Sequence, residues 1–181
     1  GTVTGVQTCA LPILAGATFG EGDYEVEFDG KIELTRDVQL RRLRITNGLD
    51  RDNALTEIMG VGNLLITEQL SWDHGDHIGP GSLTIGPAAQ ATIGRDGLGF
   101  IQGEVGIKAQ VVNEGELVWD ATGNVDHFEE QGGVLVNRGT FEAQGMGNQA
   151  WSGGRIVNTG TIRKTGGRAD QMADLGATVE N

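Results

Sequence analysis

The chain has 181 residues and a formal net charge of −12, which argues against nucleic acid or an anionic membrane as its partner. Its 31 glycines, three prolines and 5% aromatic residues are typical of an all-β protein rich in turns. Cys9 is the only cysteine, so a disulfide framework is excluded. No run of the sequence approaches the ~20 apolar residues of a membrane span.

The opening segment differs in character from the rest of the chain. Residues 3–13, VTGVQTCALPI, read as the translation of a common sequencing adaptor. The alternative is the end of a signal peptide, with small residues at Ala15-Gly16-Ala17 as a cleavage site. We prefer the adaptor, exclude residues 1–14 from the fold, and expect residues 15–181 to be one domain cut from a longer reading frame. Without Cys9 that domain has no thiol for a metal site or a nucleophile.

Short strands are predicted along the first half of the domain. Apolar and polar residues alternate over Tyr24–Phe28, as in a half-buried strand. The period of two continues in the pairs Ile32/Leu34, Val38/Leu40 and Leu43/Ile45. Asp52–Met59 has helical spacing, but Gly60 and Gly62 follow so closely that we expect a turn or loop there.

A recurring aliphatic pair predicts a repeat fold. Pairs separated by one residue recur at intervals of 21, 19 and 22 residues, at Leu43/Ile45, Leu64/Ile66, Leu83/Ile85 and Val105/Ile107. We interpret these pairs as equivalent positions of successive repeats, so that one solenoid runs from about Thr18 to the end of the chain.

The later repeats share a phrase that ends in asparagine. An aliphatic residue two positions before asparagine recurs at intervals of 24, 21 and 23 residues, at Val111/Asn113, Leu135/Asn137, Ile156/Asn158 and Val179/Asn181. In the first three copies glycine follows two residues after the asparagine, and an apolar residue two positions later still. Because both asparagine and glycine tolerate left-handed backbone, each phrase predicts strand, turn, strand. A second corner is expected at Gly132-Gly133, Gly153-Gly154 and Gly176-Ala177.

These repeats predict an all-β fold, a single-stranded parallel β-helix with about seven rungs of 19–24 residues. The aliphatic residues Val111, Leu135, Ile156 and Val179 should point inward and stack. The asparagines either stack as well, each amide bonding the next, or act only as generic turn formers. We favour the stacked ladder because glycine follows at the same distance in every complete copy.

Several segments resemble the β-helical repeat regions of large secreted or surface-anchored bacterial proteins, including autotransporter-passenger-like and adhesin-like chains. They are Tyr24-Glu25-Val26 with Leu43-Arg44-Ile45, Trp72 ahead of Gly79–Ile85, Val112–Gly115, and Asn158–Lys164. The resemblance implies a right-handed β-helix in an extracellular setting. Such families include adhesins, stalks and some carbohydrate-active enzymes, and the resemblance carries over no catalytic residue.

The densest polar cluster is Asp73-His74-Gly75-Asp76-His77, which has two histidines and two aspartates that could ligate a divalent metal. We interpret it instead as an exposed loop, because it lies between a tryptophan and a Gly-Pro-Gly corner. His127 has no serine nearby in a nucleophile context, so no catalytic triad is predicted.

Carboxylates that could act as acid and base on a glycosidic bond are Glu114, Glu116, Asp120, Asp126, Glu129 and Glu130. In an acidic chain this many carboxylates is expected from composition alone. Thr140 and Thr161 share a repeat position, but Glu116 interrupts the column that an ice-binding face would need. The tryptophans Trp72, Trp119 and Trp151 are either sugar-stacking platforms or packing residues.

We therefore predict a structural or adhesive repeat segment of a large extracellular bacterial surface protein, with no catalytic residue, no cofactor and no metal site. A carbohydrate-active β-helix, a polysaccharide lyase or hydrolase fragment, is the alternative. The expected partners are cell-surface or polysaccharide ligands and, at the C-terminal end, the rest of the parent chain. Because Asn181 is where a fourth turn would begin, we expect an open last rung that favours end-to-end association of the isolated chain.

Overall fold

A computed structural model describes residues 25–28, 31–45, 57–72, 75–78, 80–93, 104–120, 124–127, 133–144, 150–165, 174–175 and 177–181. Within these ranges all regular secondary structure is β-strand, and no helix is present. All strand pairs given by the described residues are parallel. The strands stack into a β-solenoid, which confirms the predicted parallel repeat architecture. The adaptor-like segment lies outside the described residues.

The described residues form 19 strands. They are β1 Glu25–Phe28, β2 Lys31–Leu34, β3 Val38–Ile45, β4 Glu57–Gly60, β5 Leu64–Trp72, β6 Gly75–Ile78, β7 Leu83–Ile85, β8 Gln90–Ile93, β9 Glu104–Lys108, β10 Gln110–Asn113, β11 Glu116–Trp119, β12 Asn124–His127, β13 Val134–Asn137, β14 Thr140–Gln144, β15 Ala150–Ser152, β16 Arg155–Asn158, β17 Thr161–Thr165, β18 Asp174–Leu175 and β19 Thr178–Glu180.

Three ladders of parallel strands form the walls of the solenoid. The first ladder runs through the starts of β3 and β5 and then β7, β10, β13, β16 and β19. The second ladder runs through β1, the ends of β3 and β5, and then β8, β11, β14 and β17. Because β3 and β5 extend through both, these two ladders form one 12-stranded sheet. The third ladder is a separate 7-stranded sheet of β2, β4, β6, β9, β12, β15 and β18.

The core fills the space between the ladders with columns of aliphatic and aromatic side chains, one from each coil of the chain. In the first ladder the inner column is Val38, Leu64, Leu83, Val111, Leu135 and Ile156, all buried. Fully burying a side chain of this size stabilises the fold by about 1.5–3 kcal/mol. The predicted stacking of Val111, Leu135 and Ile156 is confirmed.

The prediction that Val179 is buried in this column was wrong. The residue pairs with Ile156 and continues the column, but its side chain is 39% exposed. The reason is its position in β19, the outermost strand of the first ladder, where no further strand of the described chain covers it.

The recurring pairs of the first half are buried, but their predicted equivalence is partly wrong. Leu64 does pair with Leu83. Leu43, however, pairs with Leu70 in the second ladder, and Val105 pairs with Gly75 in the third. For Leu43 the cause is that β3 and β5 each carry one apolar pair for the first ladder and another for the second. Val105 and Ile107 belong to β9, whose apolar pair follows at a similar interval but lies in the third ladder.

The stretch that was expected to be a turn or loop before Gly60 contains a strand. Glu57–Gly60 is β4, and Ile58 is buried and pairs with Ile32 and His77. Residues 51–56 lie outside the described residues. β4 pairs with a strand on each side in the third ladder. This pairing outweighs the helical spacing, because a local sequence preference is weak compared with tertiary contacts.

In the three coils that carry Asn113, Asn137 and Asn158, the corners between the first and second ladders are the predicted Asn-x-Gly segments, but the reason for the glycine differs. Gly115, Gly139 and Gly160 do not adopt positive φ, and Asn113 and Asn137 are strand residues. A Cβ on Gly139 would instead lie 2.1 Å from the carbonyl oxygen of Gly115. These glycines therefore allow close approach of successive coils. Positive φ occurs at the other predicted corner, at Gly153 (70°) and Gly154 (75°).

Candidate functional site

The histidine-rich segment is not the loop that we expected. Gly75–Ile78 is strand β6, and in it Asp76 pairs with Glu57 and Gly106 while His77 pairs with Ile58 and Ile107. Strand pairing on both sides fixes this backbone in the third ladder. Asp73, His74 and the side chains of β6 lie outside the described residues. The described part of the chain brings no three metal-ligating side chains together.

Two of the three tryptophans are core residues. Trp72 and Trp119 are 1% and 0% exposed, and they belong to an inner column of the second ladder with Ile45, Ile93 and Ala143. Such burial excludes them as sugar-stacking platforms. Trp151 lies in β15, and its side chain is not among those that the structure describes.

The asparagine ladder is the most regular polar feature of the described structure. It consists of Asn113, Asn137, Asn158 and Asn181. Each Nδ2 donates to the Oδ1 of the next asparagine, at 2.7, 2.7 and 2.9 Å. Asn113 and Asn137 are fully buried. The stacked-ladder prediction is therefore confirmed, and the generic-turn alternative is not supported at these positions.

The amides of Asn113 and Asn137 also hold the corner of the next coil. Asn113 Nδ2 donates to the carbonyl oxygen of Thr140 at 2.9 Å, and Asn137 Nδ2 donates to that of Thr161 at 3.1 Å. The backbone carbonyl of Asn113 accepts from the N–H groups of Arg138 and Gly139. One asparagine thus satisfies polar groups of its own coil and the next, as a buried corner requires.

The ladder begins with an unpaired atom. Asn113 Oδ1 is buried and accepts no hydrogen bond. In the preceding coil the equivalent residue is Ile85, which has no amide to donate. The unpaired oxygen is the start of a one-directional array in which every donor points toward the C-terminal coils.

A second polar ladder, which the sequence analysis missed, joins the first coils at a different corner. Asp37 Oδ1 accepts from the backbone N–H and from Nδ2 of Asn63, at 2.8 and 2.9 Å. Asn63 Oδ1 in turn accepts from the backbone N–H and Oγ of Ser82, at 3.0 and 2.9 Å. Because the three residues are of different types, no residue type repeats along the sequence at this position. They are equivalent only because each directly precedes a strand of the first ladder.

A third polar group lies on the outer face of the second ladder. This glutamate cluster consists of Glu116, Glu142, Gln144, Arg163 and Thr165, from three successive strands, β11, β14 and β17. Glu142 is its centre and is only 5% exposed. Gln144 Nε2 donates to Glu142 Oε1 at 2.6 Å, and Thr165 Oγ1 donates to the same oxygen. Arg163 Nε donates to Glu142 Oε2 at 2.7 Å.

These contacts determine the protonation of Glu142. Hydrogen bonds from Thr165 and Gln144, and then the bond and the charge of Arg163, lower the pKa of Glu142 from 4.5 to about 2, against the opposing effect of burial. The carboxylate therefore stays ionised at neutral pH. A group held ionised in this way stabilises the sheet, but it cannot donate a proton as a general acid near pH 7.

The other carboxylates considered for acid and base chemistry are placed differently. Glu114 forms an ion pair with Arg138 at 3.1 Å, and Glu116 contacts Arg163 at 3.4 Å. The first pair links successive coils, and the second reaches across the coil of β14, which lies between β11 and β17. Both lie at the surface, where an ion pair contributes about 0–1 kcal/mol. Asp120 lies directly after β11, and Asp126 and His127 lie in β12 with side chains outside the description. Glu129 and Glu130 are not among the described residues.

The threonine column is as the sequence suggested. Thr140 pairs with Thr161, and Glu116 pairs with Thr140 in the strand before it. Glu116 therefore interrupts the column, and its contact with Arg163 uses the same face for an ion pair.

Comparison with known proteins adds no relative: no protein-family model matches the chain, and neither a curated protein nor a solved structure gives a significant match. In the part of the chain that the structure describes, no helix is long and apolar enough to cross a membrane.

Proposed function

We propose that this chain is a non-catalytic structural or adhesive segment of a large extracellular bacterial surface protein, and that it forms a single-stranded right-handed β-helix of about seven coils. The 7-stranded third ladder supports that number of coils. Right-handed crossovers between parallel strands are the general rule. The bacterial and extracellular setting is supported by the resemblance of the repeats alone.

The observation that supports a structural role best is how the described polar side chains are used. The asparagine ladder, the Asp37–Asn63–Ser82 ladder and the glutamate cluster each bond one coil to the next. A catalytic site needs polar groups that converge on a substrate and remain available to it. In the described part of this chain the polar side chains of these three groups bond mainly to each other, an arrangement that favours a structural role.

The adhesive part of the proposal is supported by the resemblance of the repeats to adhesin-like chains. Polysaccharide or cell-surface ligands remain the expected partners.

The carbohydrate-active alternative ranks second. A glycosidase needs one carboxyl group whose pKa is raised, so that it is protonated near neutral pH. The pKa of Glu142 is instead lowered to about 2. This carboxylate is therefore better suited to joining coils than to cleaving a sugar bond.

The proposal is tested by incubating the chain with a panel of soluble and insoluble polysaccharides, with two readouts. We expect retention on one or more insoluble polymers and no release of reducing or unsaturated ends. Release of sugar ends that depends on protein concentration and is lost after heat denaturation would refute the non-catalytic proposal. A Glu142→Gln variant, matched by Glu114→Gln, would then show whether the glutamate cluster is responsible.

A further inference from the structure

Two polar ladders join the coils at different corners of the solenoid. The Asp37–Asn63–Ser82 ladder lies directly before the strands of the first ladder and joins the coils of β3, β5 and β7. The asparagine ladder lies at the corner after those strands and joins the coils from β10 onward. Neither ladder passes from the coil of β7 and β8 to the coil of β10 and β11, and we call the interface between these two coils the joint.

The buried column beside the first corner changes from apolar to polar at the joint. Before the joint this column is Leu40, Ile66 and Ile85, and after it the column continues with Asn113. In the asparagine ladder each later Oδ1 accepts from the preceding coil. The Oδ1 of Asn113 belongs in the same way to the joint, where it is buried and unpaired because Ile85 has no amide to donate. A buried acceptor without a hydrogen bond weakens the interface in which it lies.

Backbone hydrogen bonding at the corner is also reduced at the joint. At each of the two following interfaces, three N–H groups of the corner donate to the preceding coil, those of residues 138–140 and those of residues 159–161. Among the described residues, two corner N–H groups do so at the joint, Glu114 to Ile85 at 2.8 Å and Glu116 to Ala89 at 3.0 Å. The corner before the joint has four residues, 86–89, whereas the corners after it have two, so their polar groups do not correspond one to one.

The joint is a weaker contact and not a break in the solenoid. All three ladders of strands pair across it, and the facing residues Leu83 and Val111 are both buried. The stability of a solenoid is approximately a sum of terms for each coil and for each interface between neighbours. A reduced interface therefore lowers the coupling between the coils on its two sides. We propose that the joint divides the solenoid into two cooperative units, so that, without applied force, the coils before it and the coils after it open separately.

The test is hydrogen exchange of the unchanged chain, followed by mass spectrometry at several low urea concentrations. Peptides from residues 57–72 and 80–93 report the coils before the joint, and peptides from residues 104–120 and 133–144 report those after it. We expect the slowest amides of each side to share one protection factor, and the two sides to differ by about tenfold or more. A common protection factor and a common urea dependence on both sides would overturn the proposal, as would a larger step between β10 and β13.

Two substitutions in one column test whether the missing ladder bond is the cause. Ile85→Asn places an amide opposite Asn113 where the backbone already matches: the carbonyl of Ile85 accepts from Glu114 at 2.8 Å, as that of Asn113 accepts from Arg138. Ile66→Asn is the matched control, since Ile66 is equally buried but pairs with Ile85, which offers no side-chain acceptor.

Both variants lose apolar contacts, but only Ile85→Asn adds a hydrogen bond across the joint. We therefore expect the difference in protection factor between the two sides to narrow in Ile85→Asn and to persist in Ile66→Asn. An undiminished step in folded Ile85→Asn, or the same narrowing in Ile66→Asn, would overturn the proposed cause. The exchange of the unchanged chain decides whether the two units exist, even if either variant fails to fold.

Discussion

At the scale of single residues, the asparagine ladder shows that identical side chains make different hydrogen bonds according to their position in the ladder. Asn137 donates to Asn158 and Thr161 and accepts from Asn113. Asn113 makes the same kind of donations, but its Oδ1 has no partner. The two buried amides therefore differ in what their removal leaves behind.

We expect Asn137→Ala to lower the free energy of unfolding by about 1–3 kcal/mol, because it leaves a donor of Asn113 and an acceptor of Asn158 without partners. Asn113→Ala should cost less, since it also removes an unpaired oxygen. Urea denaturation of both variants measures the difference, and Asn63→Ala shows for comparison what the loss of an amide from an exposed polar ladder costs. A cost below about 0.5 kcal/mol for Asn137→Ala would mean that the buried amides act only as turn formers.

The glutamate cluster predicts an acid-dependent loss of stability. Because the pKa of Glu142 is lowered from 4.5 to about 2, its stabilising contribution is complete above pH 4.5 and disappears as pH falls through about 2. Glu142→Gln should therefore lower Tm at pH 7, and its difference from the unchanged chain should narrow toward pH 2. Glu114→Gln removes the same charge from an exposed ion pair and controls for net charge. An equal deficit for Glu142→Gln at pH 7 and pH 2 would contradict this assignment.

At the scale of structural elements, the corners between the first and second ladders depend on contact between backbones. The carbonyl oxygen of Gly115 accepts from the N–H of Thr140 at 2.9 Å, and it lies where a Cβ of residue 139 would point. Substitution there must move one coil away from the next.

We expect Gly139→Ala to destabilise the fold by about 1–3 kcal/mol or more, because its Cβ would meet backbone that cannot rotate aside. Gly86→Ala is the matched control, since the nearest atom to its Cβ would be 3.0 Å away and the others at least 3.6 Å. Thermal unfolding of the two variants should place Gly139→Ala clearly lower. Equal melting temperatures would show that the coils can separate locally without cost.

The sequence allowed the later coils to be predicted better than the earlier ones. The phrase ending in asparagine appears once in each of the later coils, so that residue spacing and strand register agree at Asn113, Asn137 and Asn158. In the first half β3 and β5 each run through two ladders and each contain two similar apolar pairs. Spacing along the sequence therefore does not show which pairs are equivalent.

The glutamate cluster was missed for a different reason. Its residues are distant in sequence, and they come together only after the register is known. A usable signal was present: Glu142 and Arg163 each lie the same number of residues after the asparagine of their own coil, Asn137 and Asn158. Opposite charges at one repeat position of neighbouring coils predict a cross-coil ion pair, as directly paired charges do in any sheet.

At the scale of the whole molecule, the first residues give a prediction that rests on sequence alone. If residues 1–14 derive from an adaptor, no selection has fitted them to this fold. Their deletion should leave Tm unchanged or raise it, as measured by differential scanning calorimetry. A fall of several degrees would show that they contribute packing and would count against the adaptor interpretation.

The nearest-neighbour stacking of the coils has a mechanical consequence. In a chain pulled by its two ends, each coil is held only by the coils beside it, so the rod should unravel from its ends one coil at a time. The asparagines are spaced by 24, 21 and 23 residues, and each released coil would therefore add roughly 70–86 Å of contour length at 3.3–3.6 Å per residue. Single-molecule force spectroscopy should record a sawtooth with that step. Asn137→Ala should lower only the peaks at which its coil separates from the two neighbouring coils, because Asn137 bonds to both. The chain would then dissipate tension in many small events, a property useful to any tether under intermittent load.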